Sequence, residues 1–268
     1  MIRSLFRPAV LVGGLVGALA FQPAIPAAVG QTVSGAPPPS YTAELLRCST
    51  FAEQVESDIR IAGTGPTRSE TAGRAGRWQL RAEPRVGGLA FEAWYDSLAV
   101  WRESSAGRLE PETDGLIGGR WRGTLGPTGE AVLLTTPFMP PDILLVADLS
   151  SVLADFFPPL PPRTLAVGEA WSDSTGRWIR RDADRDGARW FRWEIDAMGA
   201  MPEGTVGAER LREEGSVSWR DGVGPEFWRR HIVVDTEARR GLSGGAMLRS
   251  RVTQEILVIR VTEAGCGE

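Results

Sequence analysis

The sharpest chemistry-bearing run in this chain is Asp182-Ala183-Asp184-Arg185-Asp186-Gly187. Three carboxylates at alternate positions followed by Gly match the opening of an EF-hand calcium loop, where alternating oxygens meet the ion and the Gly turns the chain. Such a loop closes on a bidentate Glu six residues after its Gly. Trp193 stands there, and Glu194 is one place late. The flanks around Trp178 and Trp190 read as strands, and Asp186-Gly187 is a hairpin-turn pair. The run therefore reads as a solvated acidic turn rather than a calcium site.

A nucleophile is offered by Gly241-Leu242-Ser243-Gly244-Gly245, which fits GxSxG, and a base by His231, the one histidine. A nucleophile elbow needs a strand before it, a helix after it and a His later in the chain. Here Arg239-Arg240 precede it, a strand candidate follows, and His231 comes 12 residues earlier. A Gly-rich turn and a plain strand histidine are the better readings. Glu110, Glu112 and Asp114 could supply the carboxylate pair of a glycosidase, but they sit in a Pro- and Gly-marked turn. A zinc site would need carboxylates around a single His, an uncommon ligand set. No catalytic signature stands in a supporting context, so the expectation is a protein that is not an enzyme, with no cofactor and no metal.

The elements that would position such residues are almost all short strands. The exception is Pro137–Pro162, PFMPPDILLVADLSSVLADFFPPLPP. Pro140 and Pro141 suit a helix start, and Asp142 adds a carboxylate to its first turn. On a helical wheel, Leu145, Val146, Leu149, Val152, Leu153, Phe156 and Phe157 share one arc, opposite Asp148, Ser151 and Asp155. The prolines after Phe157 forbid continuation. The spacing predicts a central amphipathic helix at about 141–157 laid on a sheet, with Leu145, Leu149, Leu153 and Phe156 as the candidate residues facing an apolar ligand.

Elsewhere, Phe51–Ala62 alternates, with Phe51, Val55, Ile59 and Ile61 on one face and Gln54, Glu56, Asp58 and Arg60 on the other. Residues 41–48 fit either a strand approach or a helical stripe. Further strands are expected at 67–72, 77–83, 89–95, 98–102, 116–125 and 130–136. After the central segment they are expected at 164–172, 176–182, 188–196, 205–212, 215–220, 226–235, 243–251 and 253–262, with Gly and Pro between them. Glu255–Val261 is nearly all apolar and reads as a buried strand. This spacing argues for a mainly β fold: a large curved antiparallel sheet, as a half-barrel or open barrel. Eight of the ten Trp adjoin an Arg in sequence, which reads as Trp packed inward and Arg facing water.

The chain has 268 residues. Arg3 and Arg7 precede an apolar run at Ala9–Phe21, and small residues follow at Ala24, Ala27 and Ala28. Residues 1–28 therefore read as a secretory signal peptide, with an uncleaved N-terminal anchor as the alternative. The run is too short to span a bilayer, and no other apolar run reaches that length, so no stable membrane span is expected after processing. Residues 29–40 read as a flexible linker and 41–268 as a single β-rich domain. The expected location is the periplasm or the extracellular space. A net charge of −4 makes nucleic acid a poor partner. The only cysteines, Cys48 and Cys266, lie near the two ends of the domain and are expected to form a disulfide in an oxidising compartment.

This layout of strands, one Pro-bounded apolar segment and more strands resembles the LolA/LolB-like half-barrel superfamily of exported bacterial proteins. Leu160-Pro161 and Val167-Gly168-Glu169-Ala170-Trp171 also resemble a run found in uncharacterised envelope proteins. The resemblance implies a curved antiparallel sheet with a helical element across its concave apolar face, and it transfers no site residue. Two readings follow. The chain is a binding module for an apolar or lipid-like ligand held in the concave face, or it is a structural or interaction protein of the envelope whose central segment is core.

Overall fold

A computed structural model describes residues 37–150, 152–153, 156–199, 205–240 and 247–261. The signal segment 1–28, most of the linker, the Gly241–Gly245 run with Ser243, and Cys266 lie outside the described residues.

The fold is mainly β. Strand accounts for 64% of the described residues, and α-helix among them is confined to two single turns. In chain order the strands are β1 (Ser49–Ala62), β2 (Arg68–Arg85), β3 (Gly88–Ser104), β4 (Gly107–Leu109), β5 (Trp121–Leu125) and β6 (Ala131–Thr135). After the Pro-rich segment come β7 (Ala170–Ser172), β8 (Arg177–Arg185), β9 (Ala188–Gly199), β10 (Thr205–Arg220), β11 (Gly224–Arg240) and β12 (Met247–Val261). They form one antiparallel sheet in the order β6-β5-β3-β2-β1-β12-β11-β10-β9-β8-β7, with β4 paired to β3. The sheet is an open half-barrel: β6 and β7 are its edges, and the first and last long strands, β1 and β12, pair at its middle.

Four pairs of expected strands are single strands. Residues 67–72 and 77–83 join as β2, 89–95 and 98–102 as β3, 205–212 and 215–220 as β10, and the described parts of 243–251 and 253–262 as β12. The glycines inside β2 and β10 are landing places for rings on the neighbouring strand. A Cβ at Gly73 would lie 2.3 Å from Trp101, one at Gly76 2.7 Å from Tyr95, and one at Gly215 2.1 Å from Trp193. Only a residue without a side chain lets those rings lie flat across the sheet.

The central helix is much shorter than the wheel predicts. Residues 41–48, ambiguous in sequence, hold the turn α1 (Ala43–Leu46), capped by Thr42; α2 is Pro141–Leu144 alone. Side chains capture the backbone groups that a longer helix would use. Asp148 Oδ1 accepts Ser150 N–H at 2.9 Å, an Asx turn that competes with helix. The Trp121 indole donates to Leu149 O at 3.2 Å, and Arg102 donates to Leu145 O at 3.1 Å. Further on, the Tyr41 hydroxyl donates to Pro158 O and Leu160 N–H to Thr128 O, both at 2.9 Å. A proline-rich segment that cannot satisfy its own backbone is thus pinned to the sheet and its loops.

The segment fills one end of the concave face. Ile143, Leu149, Leu153 and Leu160 are fully buried there, with Val146, Phe156 and Phe157 nearly so. They pack on Phe51, Trp78, Trp121 and Trp228 in one aromatic core. Five of the eight Arg-flanked Trp point into this core: Trp78, Trp121, Trp193, Trp219 and Trp228. The other three, Trp101, Trp178 and Trp190, are half-buried on the opposite face, where Arg108 and Arg185 lie over the Trp101 and Trp190 rings. Strand alternation decides this, since each lies one residue out of phase with a buried neighbour: Val100, Ile179 or Phe191.

Candidate functional site

Of the four residues expected to face a ligand, three are core. Leu149 and Leu153 are fully buried, and the Phe156 ring meets Trp228 at 5.1 Å and Phe51 at 5.6 Å between centroids. Leu145 is corrected: it is 64% exposed and faces away from the sheet. The helical phase that placed it inward ends at Leu144, and Ile143 takes the buried position instead. The space beneath residues 143–160 is occupied by the protein's own side chains. Two open grooves of about 300 and 310 Å³ lie elsewhere, one beside Ile59 and Glu70 and the other at the β2–β3 turn.

The remaining half of the concave face is built differently. Side chains alternate across a strand, so the pairing register places residues of five adjacent strands in rows. One row, from β9 to β1, is Ala197, Leu211, Val234, Val252 and Ile59. The row on its core side is Ile195, Glu213, Ile232, Gln254 and Ser57, where Gln254 donates to the Ser57 hydroxyl at 3.0 Å. Ile59, Leu211, Ile232 and Val252 are only half-buried and stand outside the aromatic core cluster. Four strand spacings make this apolar strip about 19 Å wide.

The opposite, convex face of the same strands is charged. Arg210 pairs with Asp196, Arg212 and Arg251 with Asp235, Arg249 with Glu237, and His231 with Glu255. Glu255–Val261 is accordingly not buried on both faces: Ile259 is 45% exposed on the convex side, and only Val258 is buried.

Two buried carboxylates mark the border between core and strip. Glu53 accepts from Arg74 at 2.5 Å, from the Trp78 indole at 2.7 Å and from the Tyr95 hydroxyl at 2.9 Å. Burial opposes the Arg74 charge, but Glu53 and Tyr95 beside it outweigh this and raise its pKa. Burial, then the Glu53 carboxylate, pushes the Tyr95 hydroxyl well up, so it stays a neutral donor. Glu213 accepts from the Trp193 indole at 2.6 Å and from Arg230 at 2.9 and 2.7 Å. In each, the carboxylate is both paired with an arginine and hydrogen-bonded to an indole, which is how buried charges persist.

The residues weighed for chemistry do not converge. Asp182 pairs with Arg192 at 3.2 Å and Asp184 with Arg181 at 2.7 Å. Asp186 and Gly187 take positive φ at the tip of the β8–β9 hairpin, as a two-residue turn requires. Among the described residues, no three His, Cys, Asp or Glu side chains gather to hold a metal. His231 sits in β11 on the convex face with its Nδ1 2.5 Å from Glu255, and Ser243 lies outside the described residues. Glu110 pairs with Arg108 at the surface, and Asp114 opens a 3-10 turn.

The sequence pattern shows the β1 end of the strip, because Ile59 continues the Phe51–Val55 face. It misses Leu211, Ile232 and Val252. They are single apolar residues among Arg, Glu and Thr, and only the register of four strands makes them neighbours. Comparison with protein-family models and with curated proteins finds no match to this chain.

Proposed function

We propose that this is an exported, non-catalytic binding protein that holds an apolar or amphiphilic ligand on the concave face of its half-barrel. The site is the strip of Leu211, Ile232, Val252 and Ile59, not the space under the central segment. The observation that carries this reading is the asymmetry of one sheet: the core end of its concave face is sealed by residues 143–160, while beyond it Leu211, Ile232, Val252 and Ile59 are apolar and only half-buried. The charged ladder on the convex face supports it, since that face already has its solvent. Sites for small apolar molecules are concave, mostly apolar and fitted with few polar groups. The Arg3–Ala28 pattern supports export, and the half-barrel layout accords with the LolA/LolB-like resemblance.

The test is thermal melting of the mature protein with dodecanol. A melting temperature that rises with ligand concentration is expected, because a ligand that binds only the folded state stabilises it by mass action. Leu211→Gln combined with Val252→Gln should abolish the rise, and Leu145→Gln should leave it intact. A second reading, an envelope interaction protein without a small-molecule ligand, is favoured by the filled space beneath residues 143–160. It wins if no amphiphile moves the melting curve.

A further inference from the structure

The apolar strip ends in a row of a different kind: Gly199, Glu209, Thr236, Ser250 and Ile61, again from β9 to β1. Glu209 is the third buried glutamate of the described residues, only 7% exposed. Glu53 and Glu213 each hold an arginine; Glu209 holds none among the described residues. Its one hydrogen-bond partner there is the Thr236 hydroxyl, a long contact of 3.4 Å. The carboxyl lies across Gly199 of the next strand, where an added Cβ would come within 2.4 Å of its Oε1. Burial pushes the carboxyl up from its ordinary value, and Thr236 only partly offsets this.

A desolvated carboxylate without a cation is expensive to keep. This one stands one row beyond Leu211 and Val234, at the end of the apolar strip. A metal ion is a poor match, since calcium wants six to eight oxygens and this row offers one carboxylate and two hydroxyls. An organic cation needs only one carboxylate to replace its lost water. We propose, building on the binding reading above, that the ligand is an amphiphile with a cationic amine head, seated on Glu209 and Thr236. Its tail runs across the strands along Leu211, Val234, Val252 and Ile59, three strand spacings or about 15 Å. A fatty acid would set a second carboxylate against Glu209 and is excluded.

Calorimetry of the mature protein with dodecylamine, dodecanol and dodecanoate at neutral pH, the alcohol below its solubility limit and the two charged amphiphiles below their micelle concentrations, tests this. Dodecylamine should bind at least about tenfold more tightly than dodecanol, the scale of one charge-assisted contact, and dodecanoate should bind most weakly. Glu209→Gln should erase the amine preference while keeping dodecanol affinity. Glu214→Gln, on the exposed convex face of the same strand, should preserve the preference and so exclude attraction by net charge. Equal affinities for all three ligands, or an amine preference that survives Glu209→Gln, would overturn the head-group assignment and leave the strip as a binding face. Binding of none of the three would overturn both readings.

Discussion

The Trp193 indole donates to Glu213 Oε1 at 2.6 Å while its ring lies over Gly215 of the neighbouring strand. One side chain thus ties β9 to β10 twice, by a hydrogen bond and by stacking on a bare backbone. The same carboxylate holds Arg230 of β11, so three strands meet at one buried charge. Glu213→Ala removes the buried carboxylate that Arg230 and the Trp193 indole share and should destabilise the fold by about 3–5 kcal/mol. Urea denaturation measures it. A loss below about 1 kcal/mol would mean that the pair is solvated and the border between core and strip is open.

Gly215→Ala tests the other half of that relationship. A Cβ there would sit 2.1 Å from the Trp193 ring, well inside contact distance. The ring is buried and held by Glu213, so it cannot swing clear. Overpacking of this kind costs about 1–3 kcal/mol. The same substitution at a strand glycine with open space would be neutral or favourable, so a stabilised Gly215→Ala would refute the stacking account.

Those glycines also explain which parts of the fold were legible. Alternation in Phe51–Ala62 gave β1 and its faces, because each residue there reports its own burial. Gly73 and Gly76 looked like breaks, and the strand that runs through Gly215 was divided just before it, because the rings that occupy these places belong to other strands. The central segment failed for a related reason. Its apolar residues do face the core, but Asp148, Trp121 and Arg102 take the backbone groups of a longer helix, and two of those three are remote in sequence. Glu209 could not be singled out at all. Its neighbours on both sides come from pairings that sequence spacing does not specify.

Truncations in the central segment should separate core from surface. Leu153→Ala should cost about 2–5 kcal/mol, since the side chain is fully buried among aromatic rings. Leu145→Ala, at an exposed position, should fall within about 0.5 kcal/mol of the parent. Equilibrium denaturation of the two variants checks this. A small effect at Leu153 would mean that the segment lifts off as a lid and would return the ligand site to the space beneath it.

Cys48 and Cys266 are expected to be joined in the exported protein. Thr50 pairs with Val261 at the head of β1, so Cys48 lies two residues before that pair and Cys266 five residues after it. Five residues reach at most about 17 Å, ample to return to the start of the neighbouring strand. Thiol titration of denatured, unreduced protein should find no free thiol. Two free thiols per chain would exclude the bridge.

Glu209 should leave a signature in the pH dependence of stability, with a sign opposite to that of Glu130, Glu169, Asp173 and Asp196. Asp173 shows the usual case. Burial pushes it up, but hydrogen bonds from Thr175 and Arg177 prevail and hold it below its ordinary value. It therefore contributes stability above the ordinary carboxylate range, and that stability is lost as pH falls through its folded value. Glu209 is raised instead, so its folded state binds the proton more tightly than the unfolded chain does. Its contribution is fully present below the ordinary glutamate value and is lost as pH rises through the raised one. The row beside it carries no charge on Gly199, Thr236 or Ser250, and the buried Glu213 further along the same strand is paired with Arg230. Glu209→Gln should therefore match the parent in acid and become the more stable protein as pH rises past the ordinary carboxylate range. Dodecylamine should narrow that gap by supplying the missing cation, and dodecanol should not. Unfolding free energies of parent and variant between about pH 4 and pH 8 measure the effect. A gap independent of pH would show that the carboxyl is solvated and has no need of a partner.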